Sequence, residues 1–269
     1  MTGASDTRAT HPPLAVLTHG DLEVEGRLVA ASNTTVRCVA SLDGVAVRCV
    51  YKPVAGERPL WDFPDGTLAG REVAAYLLSG ATGWDLVPPT VLRDGPFGPG
   101  ACQLWIDESD DEPLVGFVPE SKLPAGWHPV LAAEDDEGTR YTLAHADDVR
   151  LARLAVFDAV ANNADRKGGH VLTGPGGRVY GVDHGVCFHV EPKLRTVLWG
   201  FAGAPLPEGA ADVLERLERE IDGCLGRALA AHLTAEEIAA VRDRAARLRR
   251  RGRLPLPDPR RPTVPWPPM

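Results

Sequence analysis

The sequence predicts an α+β fold in two lobes, a small antiparallel-sheet N-terminal lobe and a mostly helical C-terminal lobe. Three observations predict it. Between Val24 and Ile106, short β-branched segments flank a single stretch with helical spacing. The strongest helical periodicity, Asp147 to Asn162, runs directly into a turn rich in Asn, Asp and Gly. Two further amphipathic stretches follow and close the chain.

The elements can be justified in order. The first dozen residues are polar and end in Pro12-Pro13, which reads as a flexible arm over 1–13. Val24 to Leu28, Thr34 to Ala40 and Val45 to Tyr51 read as strands, with Leu42-Asp43-Gly44 as the turn between the last two. Leu68, Val73, Ala74, Leu77 and Leu78 mark a helix over Thr67 to Leu78, with Asp65 or Thr67 as its cap. Val87 to Leu92 and Ala101 to Ile106 make another strand pair, so the N-terminal lobe spans 14–106. From Asp107 to Glu137 acidic clusters alternate with Pro and Gly, which reads as a surface insertion or a lobe-to-lobe connection, and no secondary structure is assigned there.

Within a C-terminal lobe over 107–254, Val171-Leu172 and Val179 to Val182 flank Gly174-Pro175-Gly176-Gly177 as a short hairpin. The last helices are expected over Ala211 to Leu229 and Ala235 to Arg250, the second opening on Thr234 and Glu237 as a capping box. Seven prolines from Pro255 onward make 255–269 an extended Pro/Arg-rich tail outside the core.

Composition removes several function classes. A hydrophobic content of 44% is enough for a real core. A net charge of -8 and a pI near 5.5 argue against nucleic acid as the main partner. The five cysteines are odd in number and scattered, without a C-x-x-C pair, which fits a reducing cytoplasm and free thiols. No apolar run is long enough to cross a bilayer, so a cytoplasmic protein is expected, with room only for peripheral membrane contact. Gly-x-Ser-x-Gly and His-Glu-x-x-His are both absent. Oligomeric state is not read from the sequence.

Phosphoryl transfer needs a cation on the nucleotide phosphates, a carboxylate near the attacking hydroxyl, and ligands for a metal that bridges the phosphates. In the kinase arrangement a metal-binding side chain follows the catalytic Asp by five residues, and a second metal-binding Asp lies beyond a short hairpin. Asp165, His170 and Asp183 have that layout. Upstream, Lys52 ends a strand and Glu72 stands early on the next helix, the pairing that would hold a lysine on the α- and β-phosphates. Gln103, Leu104, Trp105 and Ile106 end the last strand where a hinge would offer backbone groups to adenine. No G-x-G-x-x-G loop is present, and Ser32 and Asn33, in the turn Ala31 to Thr35, are the candidates to cover the phosphates.

On these residues the chain resembles an actinobacterial-type member of the phosphatidylinositol 3- and 4-kinase-like group, within the atypical protein-kinase-like fold. The likeness to type II phosphatidylinositol 4-kinases and HipA-type kinases is carried by Asn163-Ala164-Asp165-Arg166 and Asp183-His184-Gly185-Val186-Cys187-Phe188. The resemblance implies a bilobal fold, ATP with Mg²⁺ or Mn²⁺ as cofactors, Lys52 on phosphate, Glu72 as its partner, Asp165 as catalytic carboxylate, and His170 with Asp183 on metal. The expected activity is transfer of the γ-phosphate of ATP to an unidentified hydroxyl on a lipid, metabolite or protein. The alternative is a nucleotide-binding pseudokinase acting as a regulator or scaffold. His170 favours that alternative, since such families usually carry Asn there. A neutral imidazole suits Mn²⁺ better than Mg²⁺.

Overall fold

A computed structural model describes residues 11–27, 34–58, 60–64 and 66–269. The described residues within Met1–Pro59, with Pro89–Trp105, form one compact unit, and Leu60–Pro88 with Ile106–Met269 form the other.

The first unit opens with helix α1, Pro13–His19, which begins at the last residue of the expected arm, whose residues 1–10 lie outside the described residues. Pro13 stands at the first helical position, where its missing N–H costs nothing and its fixed φ starts the turn. Five antiparallel strands follow: β1 (Asp21–Arg27), β2 (Val36–Leu42), β3 (Val45–Pro53), and, after an excursion, β4 (Thr90–Gly95) and β5 (Gly98–Leu104). Their order in the sheet is β1-β2-β3-β5-β4. Alternate residues Val36, Cys38 and Ala40 of β2 and Cys49 and Tyr51 of β3 face inward with Val16, Leu17 and Cys102, which gives this unit its own small core. The turn at Asp43-Gly44 takes positive φ at both residues, as a tight hairpin requires.

The second unit contains helix α2 (Leu68–Thr82), capped by the Thr67 hydroxyl, which accepts from Gly70 N at 2.9 Å. Beyond residue 106 the expected insertion or connection is a three-stranded sheet, ordered β6-β8-β7, of β6 (Val115–Pro119), β7 (Trp127–Glu134) and β8 (Arg140–Ala146). The acidic run belongs to its turn: Asp135 Oδ1 accepts from the amides of Glu137 and Thr139, at 3.0 and 2.9 Å. Carboxylates were doing turn chemistry between strands, a use that charge clustering alone does not reveal.

Helix α3 (Val149–Ala161) is the central buried element of this unit, with Leu151, Leu154, Val156, Phe157 and Val160 inside the larger core. Asp148 caps its start by accepting from Arg150 N, and Asn162, in left-handed conformation at φ 56°, ends it. A two-stranded hairpin follows, β9 (Val171–Thr173) with β10 (Val179–Gly181). The helix expected over 211–229 is two helices, α4 (Ala210–Ile221) and α5 (Cys224–Leu229), because Gly223 leaves helical φ/ψ between them. α6 (Ala235–Arg251) opens on the expected capping box of Thr234 and Glu237.

The proline-rich tail is extended, but it is not outside the core. Val264 packs against the main hydrophobic cluster, and Pro265 and Pro268 are buried. Prolines that cannot join a helix or a ladder can still fill a groove. Among the described residues, no helix is long and apolar enough to cross a membrane.

Candidate active site

The Asp165 segment is organised around a charge whose burial the sequence gives no direct reason to expect. Arg166 is fully buried, and its guanidinium grips the equally buried Asp158 of α3 with two bonds, Nε to Oδ2 at 2.8 Å and Nη2 to Oδ1 at 2.9 Å. A buried guanidinium is tolerable only when such a paired acceptor is present. The remaining donors reach the backbone on both sides of the β9–β10 hairpin, with Nη1 donating to the carbonyls of His170 at 3.1 Å and Val182 at 2.8 Å. Nη2 also lies 2.7 Å from His184 Nε2. Arginine can only donate, so His184 Nε2 accepts and its ring proton sits on Nδ1. One side chain thus ties together the Asp165 segment, His170 and the residues flanking Asp183.

Two asparagines fix the loop further. Asn163 donates from Nδ2 to Asp158 Oδ1 at 3.1 Å and accepts at Oδ1 from Asp165 N at 2.9 Å, which sets the backbone at Asp165. Asn162 donates to the carbonyls of His189 and Glu191 and accepts from Lys193 N, holding the stretch that follows Asp183.

On this frame, His170 and Asp183 come together: Nε2 stands 3.3 Å from Oδ2. The other ring nitrogen, Nδ1, is 3.1 Å from the carbonyl of Asp165. Asp165 carries the nearby Lys167 ammonium at 3.4 Å. Burial pushes the Asp165 carboxyl above its ordinary range, against the pull of Lys167, and the Asp183 charge adds to the rise. Asp183 itself takes positive φ, at 60°. The left-handed turn thus falls two residues before Gly185. Gly185 instead lies under α2, where a β-carbon would come 3.2 Å from Leu68 Cβ.

Glu72 is buried on α2, and its Oε2 accepts from His184 N at 3.0 Å. The carboxylate is therefore bonded to the backbone beside Asp183. Lys52 lies on β3 opposite Ala101 of β5 and is partly buried. Along β5 the Gln103 side chain donates to Thr90 Oγ1 at 2.8 Å, and the amides of Leu104 and Trp105 donate to Pro89 and Arg48 carbonyls. Trp105 and Ile106 follow the strand end. Ser32 and Asn33 lie outside the described residues.

Sequence reasoning quoted Asn163 and Arg166 only as motif residues without a role of their own, and it did not single out Asp158. Asp158 offered a signal, as a carboxylate inside a helix whose other inward residues are apolar calls for a buried cation.

With the fold and site described, comparison with known proteins becomes informative. The chain is 52% identical over 262 residues to Protein Rv2133c of Mycobacterium tuberculosis, covering 94% of each chain. It belongs to the Rv2133c family. No family model matches it. Among solved structures, the hydra Fam20 structure with sugar superposes at a TM-score of 0.54, with 14% identity over 88% of this chain and 86% of that one. The Golgi casein kinase with Mn/ADP bound superposes at 0.51, with 12% identity over 88% and 74%. The Rv2133c-family chain therefore has an atypical protein-kinase-like fold. At such low identity the likeness speaks for the fold alone.

Proposed function

We propose that this Rv2133c-family protein is an ATP-dependent phosphotransferase that moves the γ-phosphoryl group to a hydroxyl acceptor. One observation carries the reading. A single buried arginine, Arg166, holds Asp165, His170 and the Asp183 turn in one framework, with His170 and Asp183 side by side. A purely structural turn has no need to aim a carboxylate and an imidazole at each other.

The donor set fits a divalent metal. Metal-binding imidazoles characteristically commit one nitrogen to a carbonyl or carboxylate and leave the other for the ion. In His170, Nδ1 stands at the Asp165 carbonyl and Nε2 3.3 Å from Asp183 Oδ2, so an ion held there would take the place of that His–Asp contact. A metal bound there would neutralise charge between the β- and γ-phosphates. In the proposed mechanism Asp165 orients the acceptor hydroxyl and takes its proton as the new P–O bond forms and the bond from the γ-phosphorus to the β,γ-bridging oxygen breaks, releasing ADP. Its raised pKa makes it a better base than an exposed aspartate. Lys167, beside Asp165, holds the transferred group, and Lys52 holds the α- and β-phosphates. Gln103 to Ile106 border adenine, with the amides of Leu104 and Trp105 already spent inside the sheet.

Residues 14–106 are proposed as the nucleotide-phosphate side and 107–254 as the side carrying the catalytic and metal loops. Kinship with phosphatidylinositol 3- and 4-kinase-like enzymes is proposed on the Asn163 to Arg166 and Asp183 to Phe188 motifs. A cytoplasmic setting is proposed on the free thiols of all five cysteines. That the Golgi casein kinase structure holds Mn/ADP supports ATP and a divalent metal as cofactors.

A second reading, a pseudokinase that binds nucleotide without turnover, is favoured by His170 at a position where kinases use an oxygen donor. One experiment separates the two. Purified protein is incubated with γ-labelled ATP, Mg²⁺ or Mn²⁺ and a cell extract, beside Asp165→Ala. Label transfer that disappears in the variant supports the enzyme, and nucleotide binding with no transfer under either metal rejects it.

A further inference from the structure

The segment Arg195–Val197 runs along the catalytic loop as a short strand. Arg195 N donates to Asn163 O at 2.9 Å, Arg166 N donates to Arg195 O at 3.0 Å, and Val197 N donates to Arg166 O at 3.1 Å. Extended backbone turns alternate amides to opposite sides, so Thr196 N points away from the loop. It donates to the carbonyl of Thr263 at 3.0 Å, and Trp199 Nε1 donates to the same oxygen at 2.7 Å. Further along the tail, Pro268 O accepts from Gly168 N at 2.8 Å. The tail thus adds itself to an exposed backbone edge, the way an extended peptide is held by a sheet edge.

Its end lies on the catalytic loop itself. A β-carbon at Gly168 would run into the Met269 thioether, and one at Gly169 would come 3.9 Å from the Met269 backbone. These are the two residues between Lys167 and His170. The glycine pair therefore gives Met269 room to lie against the loop that joins Asp165 to the metal-binding imidazole.

We infer that residues 263–269 are a displaceable strap against this loop, which narrows the approach of a substrate hydroxyl to Asp165, a third of whose side chain stays exposed beside it. The inference rests on the phosphotransferase reading for its consequence, and on the contacts above for its geometry. Val264, Pro265 and Pro268 seat the strap by packing, but few hydrogen bonds hold its backbone. Three of its seven residues are prolines, which donate no backbone hydrogen bond, and Trp266 is 83% exposed. It closes no ladder of its own and is tied by the three bonds to Thr196, Trp199 and Gly168. By contrast α3, on the other side of the loop, is buried along most of its length.

The test uses the full chain, full-length Trp199→Phe, which removes one of the donors to Thr263, and a chain ending at Arg261. Amide hydrogen exchange in the full chain should show Gly168 and Thr196 opening at least tenfold faster than the α3 amides, and faster again in Trp199→Phe. Transfer of label from γ-labelled ATP to extract proteins should rise severalfold in Trp199→Phe and in the shortened chain. Protection of Gly168 and Thr196 equal to that of α3 overturns the strap. So does a folded shortened chain, or Trp199→Phe, that transfers label no faster than the intact protein. If no form transfers label while all bind nucleotide, the phosphotransferase reading fails instead, and the exchange result alone decides whether the strap opens.

Discussion

His170 Nε2 stands 3.3 Å from Asp183 Oδ2 while its Nδ1 faces the carbonyl of Asp165. A metal held by this pair meets one nitrogen and one oxygen donor from the protein. Mn²⁺ accepts imidazole more readily than Mg²⁺, which prefers oxygen. Nucleotide affinity in Mn²⁺ should therefore equal or exceed that in Mg²⁺, and His170→Asn should shift the preference toward Mg²⁺. Titration of ATP binding with each metal checks this, and a clear Mg²⁺ preference in the unaltered protein would sink it.

Replacing Arg166 by Met leaves the Asp158 carboxylate buried without its cation. Breaking a buried pair in this way costs about 3–5 kcal/mol. Urea unfolding followed by circular dichroism should show that loss. An Arg166→Met protein as stable as the original would mean that the pair contributes little to the frame.

The Asp165 carboxyl is raised by burial above its ordinary pKa. A raised folded-state pKa means the folded protein holds this proton more tightly than the unfolded chain does. The stability tied to it is present at low pH and lost as pH rises through the folded pKa. Asp165→Asn should consequently melt at the same or a higher temperature than the original at pH 7, while label transfer falls by about 10²–10⁴-fold. A marked fall in melting temperature would instead make Asp165 a structural residue.

Lys52 and Lys167 are assigned different tasks, so their variants should fail differently. Lys52→Met should weaken ATP binding by about tenfold, roughly 1.4 kcal/mol. Lys167→Met should leave ATP affinity nearly unchanged and lower turnover, since its ammonium sits beside Asp165. Identical effects of both substitutions on affinity would contradict the division.

His145 is fully buried, with Nδ1 2.9 Å from the Ala146 carbonyl, and burial lowers its pKa below the usual 6.5. The unfolded chain therefore binds this proton more readily than the folded one. Its contribution to stability is present above pH 6.5 and declines as pH falls through 6.5 toward the folded value. Melting temperature should drop between pH 7 and pH 5.5, and a His145→Gln protein should show a shallower drop.

The sequence was most legible where local rules and tertiary demands agree. The capping box at Thr234 and Glu237 is one such place, and the helix leading to Asp165 is another. It misled where one residue type serves two purposes. Acidic residues read as a solvated insertion proved to include a hairpin turn at Asp135, and the proline-rich tail proved to have buried residues. Spacing brought Asp165, His170 and Asp183 forward as candidates, and the structure brings the last two together. The Arg166–Asp158 pair escaped notice because nothing in a linear sequence says which of many arginines will be drawn inside.

Helix α2 has a mechanical consequence that follows from where its charges are spent. Glu72 is bonded to the amide of His184, and the adjacent Arg71 reaches both the Cys187 carbonyl at 2.7 Å and Glu237 of α6 at 2.5 Å. Two neighbouring side chains thus couple the helix to the stretch that follows Asp183 and to the opening of another helix. A push on α2 is passed on through these bonds. It arrives beside Asp183 as a displacement, so any ligand or partner that shifts this helix would act on Asp183 as a hand on a lever acts on the far end.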